Sequence, residues 1–391
     1  MNRPIVAIIS NVQTPYRVAM HRRLIQAMPE VLFYSVYTHD VPDQNWEIDP
    51  AADTNPVRFG RGDGANDQAT LKAQPKELFK SSNIVRWIEE RGVHAIAIGG
   101  YNDLGRVRLI LHAKRKGIPL FLLSDSNIHS ERLSGWKRRL KKMLVGPLIR
   151  ACDLVLIAGE NGRKYYEYYG VSPDRMIRSP LEVDYDLIES ITPEQVSAAA
   201  QKFSLAPDRK RLVFCARLEP VKRPDLLISA FAAMAKDAPD WDLVMIGDGK
   251  LREELRTRVP ASIQDRVKWL GFIGQPAEIF SVYRNCHALV LPSQREPWGL
   301  VVNEAAASGL PIVASAGVGA VPELVREGIN GITFPTGSQE GLVGALRSIT
   351  SDGTAARLGA RSKETLAAMR ASADPIKGMR QALQRVGIVS W

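Results

Sequence analysis

Short apolar runs recur along the chain, separated by segments with helical spacing. In the first half they are Ile5–Ile9, Val31–Tyr37, Ala95–Ile98, Pro119–Leu123 and Leu154–Ala158. In the second half they are Leu212–Ala216, Leu243–Ile246, Val267–Leu270, Ala288–Leu291 and Ile312–Ala314. Each is rich in Val, Ile and Leu and shows little polar alternation. Strands buried on both faces of a parallel sheet have this appearance. Segments such as Asn83–Arg91 and Leu226–Ala235 read as amphipathic helices between them. The strand–helix alternation predicts an α/β fold, twice over.

A chain of 391 residues is long enough for two domains. The first is expected over 1–185. A linker is expected over 186–210, where the helix-start signal Ser190-Ile191-Thr192-Pro193-Glu194 and the polar turn Ala206-Pro207-Asp208-Arg209 lie. The second domain is expected over 211–373, followed by a C-terminal helix over 374–391. Two such domains are expected to face each other across a cleft formed by the carboxyl ends of both sheets, where open α/β sheets bind ligands. The polar, Gly-rich stretch Ala51–Gln74 reads as a mobile loop.

Composition narrows the picture. Apolar residues at 45% and charged residues at 24% fit a well-cored globular protein and exclude wholesale disorder. The formal charge of +10 points to an anionic partner. Cys152, Cys215 and Cys286 are far apart and odd in number, which argues against a zinc ribbon or a redox pair. No run reaches the ~20 apolar residues of a membrane span. The first apolar run is too short for a signal-peptide core. A cytoplasmic protein is the expectation. GxGxxG, GxxxxGK and HExxH are all missing, which disfavours a dinucleotide dehydrogenase, a P-loop NTPase and a zincin.

The richest stretch is Leu289–Ser315, LVLPSQREPWGLVVNEAAASGLPIVAS. It predicts strand, loop, helix and strand, with the helix opening near Gly299 and stopping at Ser308-Gly309. A helix opening on glycine offers free backbone N–H groups and a dipole suited to phosphate. Glu296 and Glu304 flank this helix start. Ionised carboxylates are strong acceptors for sugar or ribose hydroxyls. Arg217 and Lys222 follow the strand Leu212–Ala216, and two fixed cations there suit a diphosphate leaving group. Gly247 heads a tight turn after Val244–Ile246 that lets a ligand approach the backbone. Ile273 follows the strand end Trp269-Leu270-Gly271-Phe272 and could line a base pocket.

This pattern resembles the retaining glycosyltransferases of family 4, which have the GT-B fold of two Rossmann-like α/β domains facing a central cleft. The resemblance is strongest from Leu212 to Gly331. It implies an enzyme that moves a sugar from a nucleotide diphosphate sugar (UDP-, GDP- or ADP-linked) to an acceptor hydroxyl with retention, using no cofactor and no metal. The acceptor implied is a glycan or lipid-linked precursor of glycolipid or surface polysaccharide. Glu296 would touch the donor sugar, Glu304 the ribose, and Arg217 and Lys222 the diphosphate. Backbone at Gly299, Leu300 and Val301 would assist, with Ile273 beside the base and Trp298 and Gly247 completing the donor set. Domain closure over the donor would exclude water. One departure concerns the loop after the first strand, Ser10–Arg17. It lacks the Gly-Gly of many relatives, and Tyr16 and Arg17 become candidates there. Two other readings remain open: a non-catalytic nucleotide-sugar or polyanion-binding protein, and a protein of the same fold with epimerase or phosphorylase chemistry.

The first domain supplies further candidates. Asp125 follows a strand end where relatives often hold a histidine; it could orient or deprotonate the acceptor hydroxyl, or simply cap a helix. His129, Tyr101 and Asn102 are acceptor-pocket candidates whose plainer readings are an exposed loop residue and an ordinary turn. Asp184-Tyr185-Asp186 spells DxD but sits at the expected linker, not after a nucleotide-binding strand. Arg132, Lys137, Arg138, Arg139, Lys141, Lys142 and Arg150 crowd one stretch that contains no acid. Trp136, Leu140, Met143 and Leu144 recur within it at helical spacing. Such a helix suits an anionic membrane surface, which would make the protein peripheral on the inner face. The alternative puts its apolar stripe in the core. No nucleic-acid motif accompanies the charge, so no nucleic-acid partner is expected.

Overall fold

The structure, a computed structural model, describes residues 3–41, 46, 51–65, 68–131 and 133–390. The chain forms two compact units. One holds the residues up to Glu182 together with those from Ala373 onward; the other is Val183–Ser372.

The first unit carries a parallel seven-stranded sheet. Its strands are β1 (Ile5–Ser10), β2 (Leu32–Tyr37), β3 (Pro56–Arg58), β4 (Ala95–Gly99), β5 (Leu120–Ser124), β6 (Leu154–Ile157) and β7 (Met176–Arg178), in spatial order 3-2-1-4-5-6-7. In β1 the side chains alternate across the sheet. Ala7 and Ile9 enter one buried cluster, and Val6 and Ile8 the other. Both faces are therefore dry, which is why the strand reads as an unbroken apolar run. Helices α1 (Pro15–Ala27), α2 (Gln74–Arg91), α3 (Leu104–Lys116), α4 (Gly135–Ala151) and α5 (Glu160–Tyr168) belong to this unit. So does the C-terminal helix Pro375–Arg385, whose Ile376, Met379, Ala382 and Leu383 share a core with Val6, Ile8, Leu24 and Phe33.

The second unit carries a parallel six-stranded sheet of β8 (Lys210–Cys215), β9 (Trp241–Ile246), β10 (Val267–Gly271), β11 (Ala288–Leu291), β12 (Ile312–Ser315) and β13 (Gly331–Phe334), in spatial order 10-9-8-11-12-13. All ten apolar runs of the sequence are strands. The sequence reading missed β3, β7 and β13, which are short and lie at sheet edges.

Three expectations change. The stretch 186–210 is not a linker. It begins the second unit with α6 (Tyr185–Glu189) and α7 (Pro193–Lys202). Thr192 and Gln195 close a reciprocal capping box on α7, so the local chemistry starts a helix. The stretch 51–74 is not simply a loop. It holds the edge strand β3 and single turns at Ala52–Thr54 and Leu71–Ala73. Helix α8 (Pro224–Met234) is not amphipathic, because only Ser229 and Ala233 within it are exposed.

Candidate functional site

In each sheet the strand order reverses at one place, between β1 and β4 and between β8 and β11. Chains leaving neighbouring strands there diverge and open a crevice. The candidate residues gather at these two places.

In the second unit the loops after β8, β11 and β12 are bonded together through backbone. The Gln294 amide donates to the Val221 carbonyl (2.8 Å), and the Glu296 amide to the Gly317 carbonyl (3.2 Å). The Ser315 hydroxyl donates to the Ser293 carbonyl (2.5 Å). These bonds bring Lys222, which ends the single turn Pro220–Lys222, against Glu296 in a salt bridge. Both side chains are largely covered, at 14% and 13% exposure. Arg217 lies beside them in the chain but is more exposed and contacts Glu219 at 3.3 Å. An exposed pair of that kind contributes little stability, so the guanidinium is free to exchange partners.

The helix Leu300–Ala307 opens on Gly299, whose φ of 97° belongs to the left-handed region, and no side chain among the described residues caps it. Its first turn bond runs from the Val302 amide to the Gly299 carbonyl (2.9 Å). The amides of Leu300 and Val301 stand ahead of that bond and are available to an anion. Trp298 is buried, and its indole N–H donates to Asn303 (2.9 Å). Asn303 in turn donates to the Tyr185 hydroxyl (2.9 Å). Trp298 thus braces the helix start from beneath. Glu304 accepts a hydrogen bond from the Tyr283 hydroxyl (3.0 Å). Burial among protein atoms pushes the Glu304 carboxyl up to about 7, against the opposing pull of the Tyr283 bond. Ile273 is buried just beyond β10.

Gly247 needs a different reading from the one its sequence suggests. A Cβ there would lie 2.0 Å from the Ala216 carbonyl oxygen, and its φ is 122°. The Ala216 carbonyl is enough by itself to require the glycine. The DxD tripeptide is also accounted for structurally: the Asp184 carboxylate caps α6 through the Leu187 amide (2.9 Å), and the Tyr185 hydroxyl serves Asn303. Among the described residues, His39, Asp63 and Glu77 have the spacing of metal ligands. The Lys80 ammonium is already among them, 2.7 Å from Asp63, 2.9 Å from Glu77 and 3.3 Å from His39. That group is a buried ion cluster with its own cation.

In the first unit a cavity of about 330 Å³ opens at the carboxyl ends of β1, β4 and β5. Tyr16, Arg17, Tyr101, Asn102 and Asp125 all line it. Arg17 is the only cation among the described lining residues; it donates to the Val12 carbonyl (2.9 Å) and stands over the Tyr16 ring. His129 does not line this cavity. It is exposed, in a turn where its amide donates to the Asn127 side chain (2.8 Å).

Helix α4 carries the basic stretch, except Arg132, which lies outside the described residues. Its apolar stripe is not in the core: Trp136, Met143 and Leu144 are 69%, 72% and 70% exposed, and Leu140 is exposed too. Lys137, Arg139, Lys142 and Arg150 are exposed beside them. Arg138 and Lys141 face inward. The Arg138 guanidinium stacks 3.8 Å from the Tyr168 ring centre, and Lys141 pairs with Glu131 (2.9 Å). No helix among the described residues is long and apolar enough to cross a membrane.

Residues 196–365, all within the second unit, match the family profile described as glycosyl transferases group 1. A D-inositol 3-phosphate glycosyltransferase of Geodermatophilus obscurus is 30% identical over 227 residues, covering 53% of this chain and 47% of that protein. The chain thus spans about half the length of the curated relatives it matches. Two solved structures extend the likeness in fold beyond the matched residues. Sucrose-phosphate synthase from Thermosynechococcus elongatus is 19% identical with a TM-score of 0.76, covering 99% of this chain and all of that one. Anabaena Alr3699/HepE in complex with UDP and glucose is 18% identical with a TM-score of 0.73, at the same coverage. The fold of two Rossmann-like α/β units, GT-B, is shared with these two structures.

Proposed function

We propose that the protein is a glycosyltransferase that moves a sugar from a nucleotide diphosphate sugar to an acceptor hydroxyl, with retention at the anomeric carbon. The observation that carries this reading is the Lys222–Glu296 pair at the strand-order reversal, next to the glycine-headed helix Leu300–Ala307. A diphosphate arriving at the Leu300 and Val301 amides would draw Lys222 and Arg217 to itself and release the Glu296 carboxylate to the sugar hydroxyls. Negative charge builds on the diphosphate as the glycosidic bond breaks. Fixed cations and a helix N-terminus stabilise that charge most at the transition state. Protein cations fill this role, so the reading is metal-independent. Glu304 is the ribose partner, and the single hydrogen bond from Tyr283 to one of its oxygens leaves the other for that task.

The acceptor belongs to the first-unit cavity. Its lining of hydroxyl, amide and carboxylate groups with a single cation suits a polyol. Asp125 is the candidate base or orienting group there. The exposed apolar stripe and lysines of α4 suit an anionic bilayer, which favours a lipid-linked acceptor for glycolipid or surface polysaccharide synthesis.

The deciding experiment is a thermal-shift series with UDP, GDP, ADP and their sugar conjugates, with and without Mg²⁺. UDP is first because the HepE structure holds it. A ligand that binds only the native state raises Tm by mass action. One nucleotide is expected to do so equally in both series. Product analysis by NMR with that donor then reads anomeric configuration, and an inverted product would sink the retaining mechanism. Co-sedimentation with phosphatidylglycerol vesicles tests the surface. Neutralising Lys137, Arg139 and Lys142 is expected to weaken binding about 100-fold, at roughly 1 kcal/mol per charge.

A further inference from the structure

A chain of polar side chains joins α4 to the first-unit cavity. On the outer side, the Lys141 ammonium of α4 donates to Glu131 (2.9 Å) and to the Tyr165 hydroxyl of α5 (3.1 Å). The Tyr169 hydroxyl also donates to Glu131 (2.5 Å), fixing that carboxylate. On the inner side, the Tyr165 and Tyr101 hydroxyls are 2.9 Å apart, and Tyr101 lines the cavity. Lys141 lies over the rings of Tyr165 and Tyr169, at 5.5 and 5.3 Å from their centres. Its cation is therefore held by a carboxylate, a hydroxyl and two aromatic faces.

An ammonium can only donate, so the Tyr165 oxygen accepts from Lys141. Either hydroxyl of the Tyr165–Tyr101 pair can donate to the other; with Tyr165 donating, the Tyr101 oxygen accepts. Tyr101 keeps its own hydrogen for another acceptor, and the open side is the cavity. Burial, with neighbouring phenols behind it, raises the Tyr101 pKa, so that hydrogen stays in place at every working pH.

We propose that Lys141 and Tyr165 are positioning residues that turn Tyr101 into a hydrogen-bond donor toward an acceptor oxygen, and so tie the acceptor cavity to the seat of α4 on a lipid surface. This rests on the reading of the cavity as the acceptor site and of α4 as the lipid-facing helix. The link has a sharp consequence for the basic residues of α4. Lys137 and Arg139 are exposed and serve the surface, and so does Lys142, exposed although its ammonium lies over the Tyr168 ring. Lys141 sits among them in the sequence and serves the cavity.

The test needs no substrate. The full chain is labelled with 3-fluorotyrosine, and the ¹⁹F resonance of Tyr101 is assigned by its loss in Tyr101→Phe. In Lys141→Met the Tyr101 resonance is expected to move, although Lys141 does not touch that ring. In Lys141→Arg, which keeps a charged donor, it is expected to return toward its original position. In Lys137→Met, on the same helix but facing outward, it is expected to stay. An unmoved Tyr101 resonance in Lys141→Met, with Tm preserved, overturns the proposal. Tyr165→Phe is the second probe of the same link and reports even if Lys141→Met unfolds. Phosphatidylglycerol bicelles supply the other arm. They are expected to shift Tyr101 in the parent protein and not in Tyr165→Phe, at equal binding. Bicelles that bind without shifting Tyr101 in the parent overturn the tie to the surface. Bicelles that do not bind overturn the surface reading and that tie together, while the Lys141 variants still decide the positioning role.

Discussion

The two candidate sites occupy equivalent places in two sheets of like topology, yet they are built from different material. In the second unit, backbone does most of the work. Amide–carbonyl bonds at Gln294 and Glu296 lock three loops together, a glycine starts the helix, and one salt bridge joins the loops. In the first unit, side chains do it. Tyr16, Arg17, Tyr101, Asn102 and Asp125 reach the cavity from beyond three different strands, β1, β4 and β5, and a run of phenols stands behind them. On the proposed function this division has a physical sense. A diphosphate is the same in every nucleotide sugar and can be met by amides and fixed cations. An acceptor is particular to one reaction and must be met by side chains that can change.

The contrast can be broken at its strongest point with Gly247→Ala. If backbone packing holds the second-unit site, a Cβ placed 2.0 Å from the Ala216 carbonyl at positive φ should cost about 3–5 kcal/mol. Calorimetry should then show a fall in Tm of roughly 10 °C. A loss of nucleotide binding at unchanged Tm would instead restore the glycine to the ligand. Next in size, Lys222→Ala should lower kcat by roughly 10²–10³-fold, as removal of a fixed charge-stabilising group does. A merely structural salt bridge would lower Tm and leave turnover per folded molecule intact.

Glu304 sharpens the comparison through pH. Its carboxyl is raised from the ordinary 4.5 to about 7. A raised acid holds its proton in the folded chain where the unfolded chain has lost it. Stability from this group is therefore fully present below pH 4.5, falls as pH rises toward 7, and is level beyond. Ribose binding by the carboxylate should run the other way. UDP affinity, read by calorimetric titration, should rise about tenfold between pH 6 and 8, and Glu304→Gln should flatten the profile. The smallest effect is expected at His129. It is exposed and outside the cavity, so His129→Ala should leave acceptor KM within about twofold, whereas Asn102→Ala should raise it by roughly fivefold, the value of one hydrogen bond. Equal effects at the two positions would mean that the cavity is not where the acceptor sits.

What could be read in the sequence follows the same division. Strands buried on both faces announce themselves by composition, and all ten were legible. The three missed strands, Pro56–Arg58, Met176–Arg178 and Gly331–Phe334, are edge pieces with too few residues to show a pattern. Arg217, Lys222, Glu296 and Gly299 were legible because each follows a strand end in a short, sequence-local motif. The partners that hold such residues were not. Tyr185 lies 118 positions from Asn303, and Tyr283 lies 21 from Glu304, with no local signal linking them. The inward turn of Lys141 was equally hidden, because charge and spacing alone make it identical to Lys137. The segment 186–210 was misread for a different reason. The helix-start signal at Ser190–Glu194 and the polar turn Ala206–Arg209 suggested a boundary, while the helix that Thr192 and Gln195 cap already belongs to the second unit.

Arg23 in α1 donates to both Glu182 and Asp374, residues 192 positions apart that border the two ends of the second unit. The first unit is thus interrupted, and its core is incomplete without Ile376, Met379, Ala382 and Leu383. The second unit is continuous in the chain and is closed by Ser372. The first, although it starts earlier, lacks part of the cover of one sheet face until the helix Pro375–Arg385 is added. A chain truncated after Ser372 should therefore protect the second unit from protease and leave the first open.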